Sequence, residues 1–203
     1  HLKLTESNGV KRGYVQYIYS NTREQPEPVY DEIILAPKYA VEYSSVATTS
    51  QEFTLSSLPQ QVMASTELPV ALAARNRGSM TWQPQSGYSG EQPVNISYHW
   101  YRFDEQAEDN IGQVYQYEGS RGILNKSVSY LESDDNIRFT IYTPAHPGKY
   151  VLLIDAVHEG NTWFSEWGNI TPAFVLDVEE NPEFLAPEDP EAVLGENDLG
   201  AGG

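Results

Sequence analysis

From Glu52 to Val178 the sequence falls into seven short apolar or alternating runs separated by turn-forming residues, and this rhythm constrains the fold more than any other feature. The runs are EFTLSSL (52 to 58), LPVALAARN (68 to 76), VNISYHWYRF (94 to 103), GQVYQYEG (112 to 119), NIRFTIYTP (136 to 144), GKYVLLIDAVH (148 to 158) and ITPAFVLDV (170 to 178). Short runs at near-regular spacing, with no helical period anywhere, predict an all-β chain whose antiparallel strands form two packed sheets.

Side chains alternate across a strand, so in VNISYHWYRF the residues Ile96, Tyr98 and Trp100 share one face while Asn95, Ser97 and His99 share the other. The apolar set is expected inside and the polar set in solvent. A core Trp on a central strand, followed later by a Pro-Gly turn with Tyr150 two residues before Leu152, is the layout of an immunoglobulin-like sandwich with its tyrosine corner. The chain has no cysteine, so Leu152, with Leu72 or Ala74 opposite, is expected to fill the place of the inter-sheet disulfide by apolar packing. Trp100, Tyr150, Leu152, Leu72, Phe139 and Ile141 are predicted to share one core.

Three segments are expected. Residues 1–50 carry strand-like pieces, GYVQYIYS (13 to 20) and DEIILAPKYAVEYSSV (31 to 46), joined by the Pro-bearing NTREQPEPVY, and read as an N-terminal β extension or the remnant of a preceding domain. Residues 51–178 are the sandwich. Residues 179–203 combine acid, Pro and Gly with little to bury and are expected to form a disordered acidic tail, with Phe184 and Leu185 its one adjacent apolar pair. The chain begins at His1 without a signal sequence and reads as a mature fragment.

The formal charge of −17, to which the tail contributes eight acids and no base, repels a phosphate backbone and argues against nucleic acid. No apolar run approaches the roughly 20 residues that span a bilayer, so no membrane insertion is expected. The absence of cysteine removes thiol catalysis, thiolate metal sites and disulfides together. Three sequons, at Asn95, Asn125 and Asn169, are candidate glycan acceptors.

RNRGSMTW (75 to 82), VNISYHW (94 to 100), TPAHPGKY (143 to 150) and DAVHEGNTWF (155 to 164) occur in that order. Together they resemble the immunoglobulin-like β-sandwich modules of bacterial extracytoplasmic proteins, which carry Asn-x-Gly-x-x-Thr-Trp, Ser-Tyr-His-Trp, Pro-Gly-x-Tyr and Glu-Gly-x-x-Trp-Phe elements. The resemblance covers residues 52 to 178, and the insertion FDEQAEDNIGQ (103 to 113) departs from it. It is similar, more distantly, to the tryptophan-rich immunoglobulin-like domain of a selective-autophagy receptor. The resemblance implies an accessory module appended to membrane glycosyltransferases and other exported proteins, with no shared catalytic residues and an extracytoplasmic location.

No metal centre or cofactor is expected. The four histidines show no ligand spacing, and Asp155 and His158 lie on opposite strand faces. Neither Glu132, Asp134 and Asp135 nor Asp104, Glu105, Glu108 and Asp109 follows the order of a calcium loop. Without a nucleophile elbow or an acid pair across a cleft, the chain does not read as an enzyme. Three functions stay open: a non-catalytic structural or interaction module whose partners are other protein chains, met through residues 1–50 and the tail; a carbohydrate-binding module; and the non-catalytic extracytoplasmic domain of a membrane glycosyltransferase. The stretch HEGNTWFSEWGN (158 to 169) bears on the second. It is expected to form a hairpin in which one of Trp163 and Phe164 is core. Trp167 with Trp82 is the candidate sugar platform, and Glu166 or Asn161 the polar partner.

Overall fold

The computed structural model describes the backbone of 2–7, 10–17 and 29–35, and residues 37–47, 51–85 and 92–184 with their side chains. The chain is built from strands, with a single 3-10 turn at Ser165–Trp167 among the described residues. Strands β1 (Leu2–Ser7), β2 (Val10–Tyr17) and β3 (Val29–Leu35) pair antiparallel with one another as a separate sheet. β1 and β2 pair from Leu2 opposite Val15 to Ser7 opposite Val10.

The sandwich uses β4 (Val41–Ser45), β5 (Gln61–Met63), β6 (Glu67–Asn76), β7 (Val94–Phe103), β8 (Ile111–Gln116), β9 (Gly122–Ile123), β10 (Ser133–Tyr142), β11 (Gly148–His158), β12 (Thr162–Trp163) and β13 (Ala173–Glu179). One sheet runs β10-β6-β4 and the other β5-β13-β11-β7-β8, with β12 paired to β11 and β9 to β7. The order β13-β11-β7-β8, with β5 parallel to β13, is that of an immunoglobulin-like sandwich.

The core follows from strand parity. Leu68, Val70, Leu72 and Ala74 of β6 and Ile137, Phe139 and Ile141 of β10 face Ile96, Tyr98 and Trp100 of β7 and Tyr150, Leu152 and Ile154 of β11. All six residues expected to share a core do so. The tyrosine corner is formed: Tyr150 donates its hydroxyl to the His146 carbonyl at 3.1 Å. Trp100 packs edge-on against Tyr150 and donates Nε1–H to the Tyr142 carbonyl at 2.9 Å, so the polar end of a fully buried indole is satisfied.

Three sequence expectations are corrected. EFTLSSL contributes an isolated bridge at Phe53 rather than a strand. The hydroxyls of Thr54, Ser56 and Ser57 bond locally, and Ser57 Oγ accepts the Thr54 amide at 2.8 Å, so the backbone turns instead of extending. The boundary at residue 50 moves, because β4 pairs with β6 from Val41 opposite Asn76 to Ser45 opposite Leu72 and is part of the sandwich. The chain from 179 onward starts ordered: Glu179 ends β13 and accepts the Ala64 amide, and buried Asn181 donates to the Ala64 carbonyl. Residues 185–203 and the linker 18–28 lie outside the described part.

The Asn76-x-Gly78-x-x-Thr81-Trp82 element is architectural. Buried Asn76 donates Nδ2–H to the carbonyls of Met80 and Val128, and its Oδ1 accepts the Gly78 amide. A Cβ at Gly78 would stand 2.5 Å from the Lys38 carbonyl oxygen, so only glycine lets the preceding arm lie this close. That arm is held by Arg77 N–H to Ala40 O and Ser79 N–H to Pro37 O, both 2.9 Å.

Candidate functional site

HEGNTWFSEWGN folds as the expected hairpin, with Gly160 at φ 68° in the loop between β11 and β12. Its aromatics part ways. Phe164 enters the core, Trp163 lies buried on the outer face of the large sheet, and Trp167 is 60 % exposed. Phe164 and Trp167 receive Tyr39 from the arm, whose ring centre sits 5.2 Å from both of theirs. The Tyr39 hydroxyl accepts from Asn161 Nδ2 at 3.0 Å and meets His158 Nδ1 at 3.2 Å. Asn169 completes the clasp: its Nδ2 donates to the carbonyls of Tyr39 and Phe164, and its Oδ1 accepts the Val41 amide.

The outer face of β7 is where the sequence reading departs most from the structure. Asn95, Ser97 and His99 do point away from the core, yet all three are buried, because residues 117–121 and the β11–β12 hairpin fold over them. His99 bonds through Nδ1 to the Tyr117 carbonyl, places Nε2 3.5 Å from Asp155 Oδ2, and lies between the Tyr117 and Trp163 rings. The solvated histidine expected there is therefore corrected to an interior one.

Arg121 is the hub of this cover. Its guanidinium donates Nε–H to Glu159 Oε1 at 2.7 Å and Nη1–H to Gly119 O at 2.8 Å and Ser97 Oγ at 3.1 Å, while resting 5.2 Å from the Trp163 ring centre. Glu159 Oε1 also accepts Asn95 Nδ2 at 2.9 Å. Burial alone pushes the Glu159 carboxyl up, but the Arg121 and Asn95 hydrogen bonds and the guanidinium charge outweigh it and hold the group below its ordinary value. Tyr117 is pushed up, by burial first and then by the nearby Glu166 carboxylate.

Two adjoining depressions flank Arg121 and share Glu118, Arg121 and Glu159. A broad one of about 640 Å³ is also lined by Gln85, Gln92 and Asn95, and a smaller one of about 210 Å³ by Asn161, Thr162, Trp163 and Glu166. Two residues named for sugar binding, Asn161 and Glu166, therefore meet in one cleft. The aromatic pair named with them does not: Trp82 is fully buried against Phe164, and Trp167 lines neither depression. A stacking platform needs a free ring face, so Trp82 is withdrawn from that role. Sequence reasoning missed Arg121 and Tyr39. Arg121 had one signal, as a lone base between Arg102 and Lys126 in an acidic chain, set among Gly119, Ser120 and Gly122.

The sequon amides are engaged as well. Asn95 is 2 % exposed and Asn169 clamps the arm, so an N-glycan on either would displace the bonds just described. Asn125 is exposed but donates Nδ2–H to Asn136 O at 2.7 Å. Asp134 is a buried loop staple that accepts the Asn125 and Asn136 amides, while Asp104 and Asp109 cap the backbone of their own turn. Among the described residues no group of three or more His, Asp or Glu converges as a metal site, and no helix is long and apolar enough to cross a membrane.

No known family model matches the chain, and no curated protein matches it. Among solved structures it is similar to the ASH / PapD-like domain of human CEP192 (PapD-like domain 7), at 14 % identity and a TM-score of 0.29, over 81 % of this chain and 99 % of that one. A likeness of that size carries no argument about function. The immunoglobulin-like assignment rests on this chain's own strand order and corner.

Proposed function

We propose that this chain is a non-catalytic interaction module of a larger extracytoplasmic protein or assembly, docking another protein through the outer face of its seven-stranded sheet. One observation carries the reading. Val114, Tyr101, Val151 and Val175 are register partners on β8, β7, β11 and β13, and form an apolar row across four strands. The two ends of the row, Val114 and Val175, are 47 % and 41 % exposed, while Tyr101 is half-buried and Val151 between them is buried. An outward β face normally alternates to polar residues, so an apolar row there suits a partner's apolar surface.

The extracytoplasmic setting is supported by the four-motif resemblance. The same resemblance admits attachment to a membrane glycosyltransferase, whose chemistry would reside in another domain. The test is the double substitution Val114→Asp with Val175→Asp. Both side chains are half in solvent, so the melting temperature should stay within a few degrees, while association with the native partner is lost. Retained association would remove this face as the docking surface.

A further inference from the structure

We infer that the cleft around Arg121 receives a basic side chain, the ammonium or guanidinium group of a lysine or arginine on a partner protein. Its hydrogen-bond inventory is one-sided. Arg121 is the one guanidinium or ammonium group among the described wall residues, and its donors are spent on Glu159, Ser97 and Gly119, with a longer contact of 3.4 Å to Glu118.

The acceptors are only partly spent: Glu166 accepts from the Thr162 and Tyr117 hydroxyls, but Asn95 and Glu159 each keep an oxygen open among the described residues. Asn95 lines the cleft, nine-tenths and more buried, with its Nδ2 committed to Glu159 and its Oδ1 without a partner. A buried polar atom left unpaired costs free energy until a donor reaches it. Glu159 uses Oε1 for both of its bonds and leaves Oε2 open among the described residues. The Glu118 side chain is 68 % exposed at the rim. Three carboxylates against one guanidinium leave the cleft acidic, within a chain of formal charge −17.

Such a site needs a ligand that only donates and carries positive charge, which describes lysine and arginine and excludes phosphate or sulfate. A sugar fits less well. Its hydroxyls bring acceptors as well as donors, and the ring that would stack on it, Trp163, is already covered by Arg121 and His99. The cleft lies at the Asn95–Ser97 end of β7, apart from the apolar row at Tyr101, so either reading can fail alone.

The probes are N-acetyl-arginine methylamide and N-acetyl-lysine methylamide, titrated into the full chain while the side-chain N–H signals of Asn95, Arg121 and Trp163 are followed by NMR. Saturable shifts at these three signals are expected, weakened about tenfold by Glu118→Gln, the loss of one charge-assisted bond. Glu105→Gln, in the exposed 103–113 turn, should change nothing. Equal weakening by both substitutions, or shifts spread over the acidic surface, would reduce the effect to general charge attraction and overturn the site. Shifts of the same signals by a neutral disaccharide, with none from either basic probe, would overturn the ligand class.

Discussion

Replacing Tyr39 by alanine tests how the arm and the hairpin hold one another. The ring is buried among Phe164, Trp167 and His158, with the Lys38 ammonium 4.9 Å from its centre. An aromatic side chain removes roughly 150 Å² or more from water, worth about 4 kcal/mol at about 25 cal/mol per Å². Losing it should cost about 3 to 5 kcal/mol once the cavity is counted. Tyr39→Phe separates the ring from its hydroxyl. The hydroxyl's two partners, Asn161 Nδ2 and His158 Nδ1, lie 3.1 Å apart and still meet without it, so the cost should be about 1 kcal/mol. Urea unfolding gives both values. Amide exchange locates them, since the Arg77 and Ser79 N–H groups donate to arm carbonyls and the Val41 N–H to Asn169, and all three should exchange faster in the alanine variant. A loss below about 1 kcal/mol with unchanged exchange at these amides would refute the docking of the arm, because buried aromatics do not leave that cheaply.

Trp100→Ala empties a fully buried site and removes the indole bond to the Tyr142 carbonyl, so urea unfolding should report a loss of about 3 to 5 kcal/mol. Trp167→Ala removes an exposed ring whose main contact is Tyr39, and thermal unfolding should show a cost of about 0.5 to 1.5 kcal/mol, the worth of one aromatic pair. Glu159 is held below its ordinary value, so its contribution is present above the unfolded pKa of about 4.3 and is lost as pH falls through the lower folded value. Glu159→Gln should therefore flatten the fall in stability below about pH 4, measured by urea titration at stepped pH. An unchanged acid limb would mean that the Arg121 contact is not made in solution.

The inward half of the sandwich was legible in the sequence because strand parity is local: Ile96, Tyr98 and Trp100, or Tyr150 and Leu152, declare a common face from two-residue spacing. The outer face was not, because parity says which way a side chain points and nothing about what later folds over it. His99 pointed the predicted way but is covered by residues 18 and 64 positions further along, Tyr117 and Trp163. Tyr39 shows the same limit. Nothing in PKYAV announces a partner at Asn161 or Asn169, since that pairing exists only once the sandwich has closed. EFTLSSL alternates as a strand should, while its hydroxyls supply a local alternative.

The most direct measurement of the interaction-module reading is site-specific photo-crosslinking of the full chain in its native cells. A photoreactive residue is placed in turn at Val114, at Val175 and, as a control, at Asp135 on the exposed part of β10. Adducts are identified by mass spectrometry. One and the same protein joined at Val114 and Val175, and absent at Asp135, is the predicted result. No adduct at the two valines, or the same adducts at all three positions, would contradict it.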